Sequence, residues 1–283
     1  MKKSLRRTLM TITLISLICC QNSPAKVKNS WDINNLKGKV KSYAEFTFAA
    51  EDRFGETQKK ALLSEQKYKF DDKGNLIEEY QYLADRSLYI KHIYKYDDNN
   101  NRIEYDSYND YGNLVSKVIY KYDDKGNQIE ETHYKADGIL DWTYVYKYDN
   151  KGNKIEESKY NAGGILAFKD IYKYDDKGNQ IEYYWYNVDG SLYTKWINQF
   201  DERDNNIGYH SFNAAGSLIS SAVFKYDATG NKTVENKYNA DGTMKSMGIT
   251  KYEFDKKGNW VKKVTFQNQI PESIEEREYE YYE

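Results

Sequence analysis

The chain has 283 residues, of which 39% are hydrophobic and 30% charged, and its net charge is −2 at neutral pH. Lysine and glutamate alternate along it, and the sequence contains no basic stripe of the kind that binds nucleic acid. Thirty tyrosines supply large rings with one polar tip, and only two prolines are present, which argues against long disordered linkers. The composition therefore predicts a folded, tyrosine-rich body with no affinity for nucleic acid.

The N-terminus has the layout of an export signal. Four basic residues precede an apolar run over residues 9–18, which is shorter than the roughly 20 residues that a membrane-spanning helix needs. Residues 17–20, Leu-Ile-Cys-Cys, resemble the end of a bacterial lipoprotein signal, which implies a signal peptide over 1–20 and a lipid on Cys20. An ordinary secretory signal with incidental cysteines is the alternative. Residues 21–30 are polar and are predicted to form a tether, so the chain would meet the membrane only through its N-terminal lipid.

The body of the chain is an internal repeat. The eleven residues YKYDDKGNQIE occur at 120–130 and again at 172–182. A period of roughly 20–50 residues is the signature of a repeat architecture. Residues 67–259 are predicted to form 26-residue repeats, flanked by divergent capping strands over 31–66 and a C-terminal cap over 260–283. The aromatic residue before the acidic turn recurs with a step of 26 at Phe70, Tyr96, Tyr122, Tyr148, Tyr174, Phe200 and Tyr226, and the last copy, Phe254, follows after 28 residues.

Each repeat contains two turn signals between segments rich in Tyr, Ile, Val, Thr and Trp. One is the acidic turn, Tyr-Asp-Asp-Lys-Gly-Asn and its variants, and the other is Asp137-Gly138 or Gly163-Gly164. Asp-Gly and Gly-Gly favour hairpins because glycine takes positive φ without strain. We therefore predict an all-β, elongated repeat protein, an antiparallel β-meander of about 18 strands. Since open sheets beyond roughly ten strands tend to curl, we expect a superhelical sheet or half-shell.

The repeat also predicts which residues face each other. With a two-residue turn at Asp137-Gly138, and with Tyr148 opposite Ile155 across the acidic turn, Ile129, Trp142 and Ile155 share one face. Opposite charges at facing positions contribute only about 0.2–1 kcal/mol each, but they disfavour slipped registers. The predicted facing pairs are Lys69–Glu78, Lys95–Glu104, Lys121–Glu130, Lys147–Glu156, Lys173–Glu182 and, with the charges inverted, Glu253–Lys262.

Two interpretations of the acidic turn are open. Asp at the start of a turn bonds its own backbone two residues on, Gly takes the left-handed position, and Asn tolerates strained geometry. Calcium is the alternative, since Asp149, Asn150 and Asn153 lie close together in the sequence. Calcium loops usually supply more alternating oxygen donors and a late bidentate carboxylate. We therefore predict turn chemistry and no metal site.

The repeated Tyr-Asp-x-x-Gly-Asn resembles the YD repeat of Rhs-type bacterial proteins, in which Arg usually follows the Gly. Here Asn takes that place, as in Gly126-Asn127. The segment Tyr-Asn-Ala-Asp-Gly at 238–242 is similar to the short Tyr/Gly hairpin repeats of some antitoxin-like proteins. The resemblance covers about residues 67–260. It implies a shell of spiralling strands and a possible affinity for carbohydrate, and no proteolytic core or toxic tail accompanies it here.

No constellation of catalytic residues is evident. His92, His133 and His210 occupy three different positions of the repeat and cannot stack in one column. The paired carboxylates Glu130 and Glu131 are neighbours in a strand, so they point to opposite faces and cannot act together as a glycosidase dyad. We therefore expect no enzymatic activity and no cofactor.

A ligand-binding site is expected where the repeats depart from their consensus. The register places Tyr183 opposite Trp196, with Trp185 on the same face, and Trp142 and Phe168 extend that face. Such rings could stack on sugars or anchor a protein, or they could simply be the core of the curled sheet.

The predicted function follows from that face and from the export signal. We expect a lipid-anchored protein of the cell envelope, at the outer membrane, that binds a glycan or protein partner. An immunity or antitoxin-like partner protein and a purely structural surface spacer are the alternatives.

Overall fold

The computed structural model describes residues 29–283, so the predicted signal peptide, Cys20 and most of the predicted tether lie outside it. Within the described range, no helix is long and apolar enough to cross a membrane. A four-residue helix, α1 (Ser30–Ile33), precedes eighteen strands, as the alternating turn signals predicted. The strands are β1 Val40–Arg53, β2 Glu56–Phe70, β3 Leu76–Tyr82, β4 Leu88–Tyr96, β5 Arg102–Asn109, β6 Leu114–Tyr122, β7 Gln128–Lys135, β8 Leu140–Tyr148, β9 Lys154–Asn161, β10 Leu166–Tyr174, β11 Gln180–Tyr186, β12 Leu192–Phe200, β13 Asn206–Asn213, β14 Leu218–Tyr226, β15 Lys232–Asn239, β16 Met244–Phe254, β17 Trp260–Gln267 and β18 Ile270–Tyr281.

The sheet is a closed antiparallel barrel. Each strand pairs with the next in the chain, and β1 pairs with both β2 and β18, so that Phe46 lies opposite Glu65 on one side and Glu276 on the other. The expected all-β meander is confirmed, but the expected elongated superhelix or half-shell is wrong. Closure removes the two exposed edges that an open sheet of this size would leave unpaired.

The two segments expected to cap opposite ends of the sheet are neighbours. Residues 31–66 contain β1 and most of both β2 and helix α1, and residues 260–283 contain β17 and β18. The ladder between β1 and β18 runs from Val40 opposite Tyr281 to Ala49 opposite Ser273. The divergent ends of the chain therefore close the barrel on each other.

Both kinds of turn have the same geometry. In the acidic turn, Asp149 N donates to Asn153 O at 2.9 Å and Gly152 N donates to Asp149 O at 3.1 Å. The same pattern joins Lys135 to Ile139, with Gly138 at φ 80°. The turn at Asp137-Gly138 is therefore a five-residue loop followed by a bulge, and the predicted two-residue turn is wrong.

The bulges change one predicted face. Tyr148 lies opposite Lys154, not Ile155. The ammonium of Lys154 bonds Glu157 at 2.6 Å and lies 5.1 Å from the ring centre of Tyr146, whereas Ile155 is exposed. The prediction that Ile129 and Ile155 share the aromatic face is wrong, because each bulge adds a residue that the alternation does not count.

The predicted charge register is confirmed in all six pairs. Their N···O distances lie between 2.7 and 2.9 Å, with Lys95 and Glu104 also in contact. The inverted pair, Glu253 and Lys262, is formed as well. The ladder of pairs is therefore a property of the fold and does not depend on which strand carries the lysine.

The two faces of the sheet differ in how enclosed their side chains are. Tyr43 lies opposite both Tyr68 and Tyr279, and the face they share continues strand by strand through Tyr146. The other face carries the lysines of the five repeated charge pairs, which are 54–62% exposed. We define the face of Tyr43 and Tyr146 as the inner face, which lines the lumen, because side chains converge on the concave side of a closed sheet. The buried apolar cluster on this face consists of Leu36, Val40, Tyr43 and Phe70.

The N-terminal segment folds over the acidic-turn end of the barrel. Trp31 Nε1 donates to Val40 O at 2.8 Å, and Leu76 N donates to Ser30 Oγ at 2.9 Å. Gly74 has φ 89°, and a Cβ there would come within 2.5 Å of the Trp31 ring. Asn29 and Ser30, the last two residues of the predicted tether, are thus part of the segment that packs on this end of the barrel.

Candidate functional site

The five aromatic residues predicted to bind a ligand lie on the inner face. Trp142 is opposite His133 and Asn161, Phe168 is opposite Lys159, and Tyr183 is opposite Trp196 as predicted. All five side chains are half-buried, between the fully covered core and open solvent. We call this set, which extends from β8 to β12, the aromatic arc; it comprises Trp142, Phe168, Tyr183, Trp185 and Trp196.

Trp142 is the least available ring of the arc. His133 stacks on it with ring centres 4.7 Å apart, and the Lys159 ammonium lies 4.3 Å from its centre. The indole N–H of Trp142 is buried and has no hydrogen-bond partner. A ligand that reached this ring would have to displace Lys159, which is itself a flexible donor.

The rings further along the arc make edge-on or tilted contacts with each other and with neighbouring tyrosines. Phe168 meets Trp185 edge-on at 6.3 Å, and Trp185 meets the exposed Tyr193 at 4.4 Å. Trp196 is tilted against Tyr209 at 4.6 Å. Edge-to-face contacts hold aromatic rings in place without covering both of their faces. The arc therefore presents fixed apolar rings to the lumen.

The inner face of β13 to β16 differs from the aromatic arc in the size of its side chains. On β15, Lys237 lies between Ala222 and Ser246 on the inner face. On β13, β14 and β16, inner positions near the arc are small, so these strands offer space and not stacking surface. These positions are Ser211, Ser220, Ala222, Ser246 and Gly248.

Asp170 lies within the arc, and the sequence prediction missed it. It faces Glu157 on β9 and Trp185 on β11, is 7% exposed, and its Oδ1 has no hydrogen-bond partner. Burial, together with the charge of Glu157, raises the pKa of Asp170 to about 7, although a hydrogen bond from Tyr183 opposes the shift. The sequence does mark Asp170 as unusual, because the equivalent positions of other repeats hold uncharged residues, Val118, Tyr144 and Trp196.

A second set of inner carboxylates is hydrogen-bonded to tyrosines. Tyr94 donates to Glu79 at 2.7 Å, and Tyr146 donates to Glu131 at 3.1 Å. Burial and the neighbouring carboxylates raise the pKa of Tyr94 and Tyr146 far above the usual range. These hydroxyls are therefore fixed hydrogen-bond donors and not proton-transfer groups.

The three histidines lie in separate surroundings. His92 is buried against Ser107 and Tyr105, and burial lowers its pKa. His133 is within 2.7 Å of Glu131, and His210 belongs to the outer face, opposite Ile197. In residues 29–283, no group of three or more His, Cys, Asp or Glu side chains is arranged to hold a metal ion.

The acidic turns use their carboxylates internally. Asp123 Oδ1 accepts from the backbone N–H groups of Lys125 at 3.0 Å and Asn127 at 2.8 Å, and its Oδ2 accepts from Asn127 Nδ2 at 2.8 Å. The same clasp forms in the next turn between Asp149 and Asn153. The predicted turn chemistry is confirmed, and it explains why Asn follows the glycine.

No protein-family model matches this chain, and no curated protein matches it. Among solved structures, a porin-like protein from Bacteroides uniformis ATCC 8492 is 8% identical, with a TM-score of 0.44 over 86% of this chain and 99% of that one. A porin-like protein from Bacteroides vulgatus ATCC 8482 is 11% identical, with a TM-score of 0.36 over 86% and 98%. TcdB2-TccC3 without its hypervariable C-terminal region is 13% identical, with a TM-score of 0.32 over 80% of this chain and 15% of that one. At these values the comparisons assign no family.

Proposed function

We propose that this is a non-enzymatic, lipid-anchored protein of the bacterial envelope that binds a glycan through the aromatic arc. The supporting observation is the arc itself, five half-buried rings on one continuous inner face. Rings of this kind suit sugars because the C–H faces of a pyranose are apolar while its edges carry hydroxyls. Binding sites commonly combine such an apolar surface with a few placed polar groups.

Polar groups for the sugar edges lie beside the rings. Lys159 is next to Trp142, and Thr194 is directly opposite Trp185. The carboxylates of Glu157 and Asp170 are one strand apart on the same face. An uncharged, hydroxyl-rich polymer fits this mixture better than a strongly anionic one, since two carboxylates stand among the rings.

The acidic turns support a YD-repeat, Rhs-like origin for the wall of the barrel. In each of the turns described above, the Asn after the glycine completes a clasp on the Asp that opens the turn. We propose that this Asn is a variant of the usual Arg that seals the turn locally. The protein is then a lipoprotein with YD repeats, held at the outer membrane by a lipid on Cys20.

The binding proposal is tested on the full chain by calorimetric titration with a panel of soluble envelope and plant oligosaccharides. Trp185→Ala is compared with Tyr184→Ala, since these neighbours on β11 point to opposite faces. We expect at least tenfold weaker binding for Trp185→Ala and unchanged binding for Tyr184→Ala, with the glycan recovered intact. If no glycan binds the parent, or if both variants lose binding equally, glycan recognition by the arc is wrong.

The lipid anchor is tested separately by metabolic labelling with a fatty-acid analogue. Cys20→Ser should lose the label and Cys19→Ser should keep it, because only the residue at the cleavage site accepts the lipid. Equal labelling of the two variants, or none in the parent, would contradict anchoring at Cys20.

A further inference from the structure

The two ends of the barrel carry different side chains. Nine hairpins, those joining β1 to β2, β3 to β4 and so on to β17 and β18, meet at one end, which we call the hairpin rim. The eight acidic turns meet at the other end, the acidic rim, where the N-terminal segment also packs.

Every hairpin of the hairpin rim exposes a large apolar side chain, either in its turn or within two residues of it. Phe54 stands out, because it is fully exposed with φ 56°, a conformation that bulky residues rarely adopt. The exposed fractions of the nine side chains lie between 48% and 105%. The nine are Phe54, Leu83, Tyr111, Ile139, Ile165, Val188, Ile219, Met244 and Ile270.

The acidic rim exposes fewer large apolar side chains, and each is less exposed. Its five-residue turns, such as Asp-Asp-Lys-Gly-Asn at 123–127, contain no large apolar residue. The exposed large apolar residues next to those turns lie on the adjoining strands and are only 36–43% exposed; they are Ile103, Ile129, Ile155 and Phe254. The apolar surface is therefore concentrated at one end of the molecule.

We propose that two copies of this chain associate end to end through their hairpin rims. If each of the nine side chains exposes on the order of 100 Å², one rim offers about 900 Å² of apolar surface. A stable interface buries about 800 Å² from each partner. A single exposed apolar residue is common on protein surfaces and indicates no partner, but nine such residues at one end of a barrel reach the area of an interface. The surface available at the rim is therefore sufficient for a specific dimer.

A second copy fits this rim because it has the same ring shape. A two-fold axis perpendicular to the barrel axis brings every hairpin of one ring against the ring of the other, so that the interface is isologous. The strongly exposed apolar side chains are concentrated at one end of each barrel, so the assembly closes at two copies and does not grow into a filament. This inference is independent of the proposed glycan binding, which uses the lumen.

The charges at the rim set the salt dependence of this association. Arg53 pairs with Glu51, Arg86 lies 3.7 Å from Glu65, and Lys135 lies 3.8 Å from Asp141, so these cations are compensated within one chain. The rim also carries turn aspartates. Two rims therefore repel each other at low ionic strength, and added salt strengthens the dimer by screening. The turn aspartates are Asp85, Asp110, Asp137, Asp189 and Asp241.

The test is analytical ultracentrifugation of the full chain between roughly 1 and 100 µM, where a micromolar Kd is measurable. The triple variant Ile139→Ser, Ile165→Ser, Val188→Ser is compared with Ile103→Ser, Ile129→Ser, Ile155→Ser, which removes three aliphatic side chains outside the hairpin rim. We expect a dimer for the parent and the control, and at least a 100-fold higher Kd for the rim variant. Circular dichroism checks that both variants keep the parent's β structure.

Raising the salt from about 0.01 M to about 1 M should lower the Kd of the parent, because the screening length falls from roughly 30 Å to 3 Å. A monomeric parent, higher oligomers, or equal weakening by the two triple variants would overturn the proposal. So would a dimer that salt dissociates. Sedimentation of a monomeric parent with phosphatidylcholine vesicles, lost in the rim variant, would assign the rim to a lipid surface instead.

Discussion

An arginine packed on a tyrosine ring occurs in two regions of the barrel, and its surroundings differ between them. In the seam, formed by β18, β1, β2 and residues 29–38, Arg277 lies 4.6 Å from the ring of Tyr43 and also bonds Glu45 at 2.7 Å. In the wall, formed by β3 to β16, Arg102 lies 4.5 Å from the ring of Tyr120. Only the seam adds the apolar cluster that also contains Leu36, Val40 and Phe70.

This difference shows what a repeat can and cannot specify. Each unit of the wall contacts copies of itself, so one more or one fewer unit would pair equally well. The seam joins strands that are unlike the repeat, over a ladder of opposed residues from β1 to β18. The number of strands is therefore set where the sequence stops repeating.

The largest expected effect comes from removing the seam tyrosine. Tyr43→Ala deletes a ring that is 6% exposed and stacks on Tyr68 at 4.5 Å, so we expect a loss of about 3–5 kcal/mol in the free energy of unfolding. Tyr120→Ala, its counterpart in the wall, should cost a similar amount. Hydrogen exchange should separate them, since only Tyr43→Ala should deprotect the amides of β1 and β18. Equal deprotection of those strands in both variants would show that the seam is no different from the wall.

The next effect compares an asparagine that is hydrogen-bonded to the seam with one that belongs to the wall. Asn259 Nδ2 donates to Lys37 O and to Tyr281 Oη, both at 2.8 Å, and its Oδ1 accepts from Lys37 N at 2.7 Å. At roughly 1 kcal/mol for each bond, Asn259→Ala should cost about 2–3 kcal/mol. Asn127→Ala loses only its clasp on Asp123 and should cost about 1 kcal/mol. Urea unfolding measures both, and a larger loss for Asn127→Ala would reverse the comparison.

Asp170 occupies an irregular position of the wall, and its effect on the free energy of unfolding should depend on pH. Its pKa is raised to about 7 from 3.8, so the protonated acid is favoured in the fold. The contribution of Asp170 to the free energy of unfolding is therefore complete below pH 4. It is lost as the pH rises from about 4 to about 7, because the buried carboxyl then becomes charged. Asp170→Asn should therefore be more stable than the parent above pH 7, by about 1–2 kcal/mol after allowing for solvent screening in the lumen.

The readout is the difference in unfolding free energy between Asp170→Asn and the parent at pH 4, 5.5, 7 and 8. That difference should grow with pH and level off above 7. The control is Asp141→Asn on β8, whose carboxylate is half-buried beside Lys135. A constant difference for Asp170→Asn, or the same rise in the control, would rule out a raised pKa at this site.

The smallest effect concerns a single charge pair of the wall. Lys121 and Glu130 are 2.7 Å apart, and exchanging them by Lys121→Glu with Glu130→Lys should restore the pair in reverse, as Glu253 and Lys262 do naturally. Each single change places like charges opposite each other and should cost about 0.2–1 kcal/mol more than the double change. A double-mutant cycle in urea measures this coupling, and a coupling of zero would mean that the pair has no role in register.

The residues that determine the wall act over short distances, which is why they were predictable. Lys147 and Glu156 face each other across one turn, and the alternation of side chains carries that register along both strands. The same reasoning placed Tyr183 opposite Trp196. It failed at Ile155, because the bulge after each turn depends on a backbone geometry that the Gly-Asn signal does not distinguish from a tighter turn.

The sequence by itself determined the strands, their order, the charge register and the face that carries the aromatic arc. The tertiary structure decided that the sheet closes, that the N-terminal segment packs on the turn at Gly74, and that Asp170 is buried opposite Glu157. The physical reason is separation along the chain. Val40 and Tyr281 are opposed only because the twist and curl accumulated over seventeen successive strand pairings bring the first and last strands together, and no local pattern encodes that sum.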